Sequence, residues 1–188
     1  MDKAKAEAAV KLLLEALDRD CTTEDMSGTP RRVAEMLAEQ CTEKDAEIDV
    51  TFHEDHFDGM VVVRDIPFVS WCAHHIVPFS GRAHVGYIPK DRVLGLSKLA
   101  RLVYSCSIGF TTQERIANDI AERLFKSHDI NCLGCMVVLE AEHGCMNLRG
   151  ARAIGSSTVT SVVKGVFRDV SAAREEMLSF IMRGGQKR

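Results

Sequence analysis

Apolar residues near the start of the chain recur at helical spacing. Val10, Leu13, Leu14 and Leu17 form one stripe, which predicts a helix from Ala4 to Leu17. Ser27-Gly28-Thr29-Pro30 reads as a turn that opens a second helix, with Thr29 as N-cap and Pro30 at the first helical position. Val33, Met36 and Leu37 would give that helix its buried face. Thr42 to Asp58 is polar and acidic, the pattern of a loop or linker. Near Met60 the period shortens. Met60 to Ile66 and Arg82 to Ile88 read as strands, and Leu94 to Cys106 and Thr112 to Ser127 as helices. Cys135 to Ala141 is another strand, and the β-branched run Ser156 to Val163 is the last. Ser171 to Met182 reads as a closing helix, followed by a polar tail from Gly184 to Arg188.

The order is helices, two strands, two helices, two strands and a helix. It predicts an α+β fold, an antiparallel sheet with helices on one face. An N-terminal helical segment and linker would occupy residues 1–58, and the sheet domain residues 59–188. A length of 188 residues suffices for one real core plus a small helical extension. A net charge of -3 gives no reason to expect a nucleic-acid surface. Met1 to Glu7 is charged and has no apolar signal core, and no apolar run approaches the length of a membrane span. Seven cysteines is an odd number, so a closed disulfide framework would leave one over. A reducing cytoplasm is the simplest setting, with the thiols either free or metal-bound.

Two stretches concentrate the chemistry. Cys72-Ala73-His74-His75 lies between apolar runs, and Glu142-His143-Gly144-Cys145 follows much later. Together they offer two thiols and three imidazoles, a supply that suits zinc. Cys72, His75 and Cys145 as ligands would leave one tetrahedral position open, which separates a catalytic zinc site from a structural one. His74 and His143 would then remain for proton transfer in a hydrolytic metalloenzyme. The plainer reading is a buried Cys72 beside two polar loop histidines. Cys132-Leu-Gly-Cys135 is a competing signal for structural zinc or a redox dithiol. A structural site would need further ligands, of which His128 is the obvious one, so the pair reads as free or buried thiols. Ser97, Lys98 and Arg101 stand at a predicted helix start, where backbone amides, a hydroxyl and two cations make a seat for phosphate. Arg149 could join them. A solvated basic face is the alternative. Gln113-Glu114-Arg115 begins another helix, and the Glu114 carboxylate could accept two hydrogen bonds from a guanine edge or serve as ordinary capping charge.

These stretches together resemble the GTP cyclohydrolase I family, the zinc-dependent type of the tunnelling fold. The matching residues are Thr29-Pro-x-Arg32-Val-Ala34, Cys72-x-His-His75, Gly81-x-Ala-His-Val-x-Tyr-Ile-Pro89, Gly95-Leu-Ser-Lys-Leu-x-Arg101, Gln113-Glu-Arg115, and His143-x-Cys145 with Arg149-Gly150. They stand in the family's order over roughly residues 5 to 182. The resemblance implies hydrolysis of GTP at C8 to 7,8-dihydroneopterin triphosphate and formate. It implies Zn²⁺ on Cys72, His75 and Cys145, with His74 and His143 as the acid/base pair. Glu114, with Gln113 beside it, would hold the guanine, and Ser97, Lys98, Arg101 and Arg149 would face the ribose and triphosphate. It further implies a homodecamer whose active sites lie between subunits.

The chain departs from the family pattern in three places. Ala73 stands where an acidic residue is usual, Glu35 where a basic one is frequent, and Ser107 to Thr112 where an Arg-rich segment is usual. All three concern the rim of the nucleotide pocket. A non-catalytic purine-nucleotide-binding relative is the alternative from another class. A nitrile reductase of the same fold is a third, although the surroundings of Cys72 are not those of its nucleophile.

Overall fold

Asp2 starts the first helix: its side chain accepts a hydrogen bond from the Lys5 backbone N–H at 3.0 Å, and α1 runs Lys3–Ala16. The second helix, α2, runs Thr29–Cys41. The computed structural model describes residues 1–42, 51–53, 57–127 and 130–184, so most of the expected 42–58 loop, His128 and the polar tail beyond Gly184 lie outside the described residues. The chain divides into two compact units, Met1–Glu43 and Lys44–Arg188.

In the first unit α1 and α2 pack on each other. Thr29 does not cap α2. The helix begins one residue earlier than expected, with Gly28 at the N-cap and no side-chain cap, and the Thr29 hydroxyl instead accepts from Arg32 Nη2 at 3.1 Å. Proline lacks an N–H and so is tolerated anywhere in the first turn, which lets the boundary slide by one residue. The buried face is also rotated. Pro30, Ala34 and Ala38 are buried, Val33 and Leu37 are half-buried, and Met36 is exposed. Small side chains permit the closest backbone approach, so the alanines rather than the large residues end up innermost.

The second unit is built on a long hairpin. After a short strand β1, Thr51–His53, come β2, Val61–Cys72, and β3, Val77–Ile88. Both are longer than the alternating patterns alone predict. They pair antiparallel from Val61↔Tyr87 to Cys72↔Val77, with a bulge between Val63 and Ile66. Asp65 takes a positive φ of 60° there, and its N–H donates to His84 Nδ1 at 3.2 Å. β4, Arg92–Leu94, pairs with β1 as a separate ribbon, and α3 follows at Leu96–Ser107. Then come β5, Phe110–Thr111; α4, Gln113–Lys126; β6, Gly134–His143; α5, Gly144–Asn147; β7, Thr158–Gly165; α6, Val166–Asp169; and α7, Ser171–Gly184. The three-residue and two-residue strands carry too little alternation to be read from sequence.

The five-stranded sheet has the order β5-β2-β3-β6-β7 and is antiparallel except for β5, which lies parallel to β2. Successive side chains alternate between its faces. Ala83, Val85 and Tyr87 of β3 and Cys135, Val137, Leu139 and Ala141 of β6 share one core with Leu99, Leu102 and Val103 of α3 and Ile116, Ile120 and Leu124 of α4. Met136 and Val138 point the other way, into a smaller cluster with Phe167 and Met177 from α6 and α7. A Cβ on Gly86 would stand 2.6 Å from Met177 Sδ, so that strand position is kept open for the closing helix. The result is the α+β architecture expected from the strand order, with α7 added against the opposite face.

Candidate functional site

The metal-ligating candidates meet at one end of the β2–β3 hairpin. Cys72 is the last residue of β2 and is buried, because its side chain falls on the core face of the sheet. The chain then turns over Ala73 to Ile76. The backbone N–H groups of His75 and Ile76 donate to the Cys72 carbonyl at 3.3 and 3.0 Å. This folds both histidines back on the thiol, so that His74 Nδ1 and His75 Nδ1 each lie 3.8 Å from Cys72 Sγ. The turn closes with Ile76 at φ 53°, a left-handed conformation that costs a β-branched residue about 1–2 kcal/mol.

Cys145 arrives from a different element. β6 pairs with β3 in a register that sets His143 opposite Phe79, and the chain passes directly into α5. Gly144 allows this passage, since a Cβ there would stand 2.7 Å from the Pro78 carbonyl oxygen. Cys145 therefore reaches the hairpin turn, and the ligand atoms of Cys72, His75 and Cys145 all lie within 4.8 Å of one another. Two sulfurs on a tetrahedral zinc, with Zn–S of about 2.3 Å, would be about 3.8 Å apart. A contraction of about 1 Å would seat the ion, so the donor set and its spacing fit. Burial, and then the Cys72 thiol beside it, push the Cys145 thiol above its ordinary range. A bound cation reverses that preference, since coordination requires the thiolate.

His143 is held from two sides. Its ring stacks on Phe79 at 4.6 Å with an interplanar angle of 6°. Its Nε2 lies 2.7 Å from Gln113 Oε1. Burial lowers the His143 pKa, and the negative charge of Glu114 acts in the opposite sense. Glu114 itself is exposed in the first turn of α4, whose N-cap Thr112 accepts from the Arg115 N–H at 3.3 Å. Gln113, beside it, is 1% exposed and directs its amide inward. The two residues expected together at a guanine therefore face different ways.

The cationic candidates do not all gather here. Arg149 does: its Nη1 lies 2.8 Å from His75 Nε2. Ser97 and Lys98 do not. The first turn of α3 sits beside Tyr87, whose hydroxyl accepts from the Leu94 N–H at 2.7 Å. Tyr87 pairs with Val61, at the end of the hairpin remote from Cys72. Tyr87 stands ten residue steps along the strand from Val77, about 33 Å at the usual rise. Arg101 follows along α3.

A model of the family described as GTP cyclohydrolase I matches residues 6–182. The chain belongs to the GTP cyclohydrolase I family. The GTP cyclohydrolase 1 of Lysinibacillus sphaericus is 46% identical over 186 residues, covering 96% of this chain and 97% of that one. The enzyme of the same name from Bacillus subtilis is 46% identical over 188 residues, covering 97% of each chain. That from Mycobacterium tuberculosis is 47% identical over 188 residues, covering 97% of this chain and 92% of its own.

Within this GTP cyclohydrolase I family member all seven cysteines are free thiols. Cys132 and Cys135 stay apart from the metal candidates: their sulfurs lie against the Leu124 and Ala121 carbonyls of α4, at 3.8 and 3.5 Å. Sequence reasoning did not find Phe79 or Gly144 as site residues. The stacking depends on a strand register, and the close approach of Gly144 depends on where α5 crosses β3. Among the described residues, no helix is long and apolar enough to cross a membrane.

Proposed function

We propose that the chain hydrolyses GTP at C8 to 7,8-dihydroneopterin triphosphate and formate, with Zn²⁺ held by Cys72, His75 and Cys145. The observation that carries this is the three-ligand cluster with two further histidines beside it, on a chain of the GTP cyclohydrolase I family. When bound, zinc supplies a Lewis acid that lowers the pKa of water toward neutrality. His74 and His143 move protons to and from the ring nitrogens as the C8 bonds break, since imidazole titrates in the required range. Glu114 accepts from the guanine edge. Ser97, Lys98, Arg101 and Arg149 hold the ribose and triphosphate. If His75 held zinc through Nδ1, its Nε2 would carry the ring hydrogen and would not accept from Arg149, whose guanidinium would then be available to the triphosphate.

The separation of Ser97 and Lys98 from the Cys72 turn supports a site completed by a neighbouring subunit, within a homodecamer. A cytoplasmic setting fits the free thiols. The test is GTP turnover on zinc-loaded protein, following formate and the fluorescence of the oxidised pterin together. Both products are expected. Cys72→Ser should lose zinc and formate release in parallel. Tight GTP binding without turnover would replace this reading with a purine-nucleotide-binding role.

A further inference from the structure

Gln113 has four polar neighbours and almost no exposure. Its Nε2 lies 3.1 Å from the Leu139 carbonyl, 2.9 Å from the Thr158 carbonyl and 3.2 Å from Thr160 Oγ1. Its Oε1 lies 2.7 Å from His143 Nε2. Backbone carbonyls only accept hydrogen bonds, so the amide nitrogen must face Leu139 and Thr158. A flipped amide would set its oxygen against two carbonyl oxygens, acceptor facing acceptor. The amide orientation is therefore dictated by β6 and β7, and its oxygen is left facing His143.

An amide oxygen cannot donate. His143 Nε2 must then carry the hydrogen, which places the lone pair of the neutral ring on Nδ1. This bond is compatible with proton transfer. In the imidazolium both nitrogens carry hydrogen, so Nε2–H donates to Gln113 before and after Nδ1 takes a proton. Phe79, stacked at 4.6 Å and 6°, fixes the plane of the ring, and the amide fixes its rotation within that plane.

We propose that Gln113 is a positioning residue that locks His143 in the Nε2–H tautomer, making Nδ1 the nitrogen that exchanges protons with the substrate. This rests on the reading of His143 as an acid/base group. It assigns Gln113 to the histidine rather than to the guanine, and leaves base recognition on this turn to Glu114. The residue is well placed for such work. As the first residue of α4 it ties that helix to two strands, so the ring orientation is referred to the rigid sheet rather than to the hairpin turn.

Two measurements test it. The first needs no turnover: ¹⁵N solid-state NMR of wild-type protein with ring-labelled histidine, the His143 signal assigned by its loss in His143→Asn. A protonated Nε2 and an unprotonated Nδ1 are expected in the neutral ring. The opposite tautomer overturns the proposal, whatever the catalysed reaction. The second is steady-state kinetics of Gln113→Met, which keeps length and removes the amide. Here kcat should fall about 10- to 100-fold, within the contribution of a positioned acid–base group, while KM for GTP changes by less than about threefold. A raised KM with kcat unchanged would mean that Gln113 binds the base, and would overturn the proposal. The NMR result decides it if Gln113→Met does not fold.

Discussion

Gly144→Ala isolates the link between sheet geometry and metal binding. Gly144 opens the short helix α5 and is not among the glycines with positive φ, so alanine can adopt its backbone conformation. On propensity alone the change would stabilise a helix by up to about 1 kcal/mol. The obstacle is spatial. The new Cβ would lie 2.7 Å from the Pro78 carbonyl oxygen, with Val77 Cγ2 at 3.5 Å behind it. Close carbon–oxygen contacts in proteins begin at about 3.3 Å, so roughly 0.6 Å must be found. Pro78 belongs to β3, where it pairs with Trp71 of β2 beside the Phe79↔His143 pair, and its backbone carbonyl cannot yield as a side-chain end would. The start of α5 moves instead, and Cys145 is the next residue. Metal–ligand distances vary by only about ±0.2 Å, so seating the ion would have to pull Cys145 inward against the new contact with Pro78. Zinc affinity should fall about 10- to 100-fold, the range seen when supports of metal ligands are disturbed, or about 1.4–2.7 kcal/mol. Competition with a chromophoric chelator measures it, with far-UV circular dichroism reporting that the sheet is intact. Wild-type affinity in a folded Gly144→Ala protein would refute the argument that this contact places Cys145.

Two further outcomes follow from other parts of the sheet domain. His84 is buried, its pKa is lowered by that burial, and it faces Asp65 and Arg64 on β2, Arg82 on β3 and Glu140 on β6. The unfolded chain takes up a proton near pH 6.5 while the folded one resists, so stability is full above that pH and declines as pH falls below it toward the lowered value. His84→Asn keeps an acceptor for the Asp65 N–H without titrating; urea unfolding between pH 7 and 5 should show a flatter profile, and an unchanged slope would exclude His84 as a source. Ile76, exposed at 61% with φ 53°, should be improved by asparagine, which tolerates that conformation. Ile76→Asn is expected to add about 1 kcal/mol, a rise in Tm of about 2–4 °C; a lower Tm would show that the side chain has a packing role in this turn.

The large elements were legible because their periods are unambiguous. The helix α4 shows Ile116, Ile120 and Leu124 four apart, and β6 alternates Cys135, Val137 and Leu139 inward. The extension of β2 to Cys72 was hidden because Ile66, Phe68 and Ser70 face the core while Asp65 interrupts the alternation at the bulge. A one-residue insertion shifts the phase of every later side chain, and sequence pattern alone does not locate it. The candidate metal ligands were legible from residue types, and Cys72, His75 and Cys145 do lie with their ligand atoms within 4.8 Å of one another. What holds it was not. Phe79 finds His143 through a ladder register, and Gln113 finds it by anchoring on carbonyls of β6 and β7. Neither relation leaves a spacing in the chain.

Ser97 and Lys98 pose the remaining question, because they begin α3 beside Tyr87 while Cys72 lies at the other end of the hairpin. One bound nucleotide cannot bridge about 33 Å of strand within a single chain. Two chains can bring unlike ends together if the contact between them is heterologous, the arrangement that closes into rings. Subunit mixing tests this. Cys72→Ser removes a metal ligand and Lys98→Ala a cation, so each variant alone should be inactive or nearly so. Unfolded and refolded together in equal amounts, they would form hybrid assemblies if the protein is such a ring. A site shared between chains would need an intact Cys72 from one and an intact Lys98 from its neighbour, so activity should recover toward about one quarter of wild type in random assemblies. A site built from one chain gains nothing from mixing, because every chain carries one lesion. Activity that stays at the average of the two variants would therefore place all the functional residues within each subunit, and Ser97 and Lys98 outside the site.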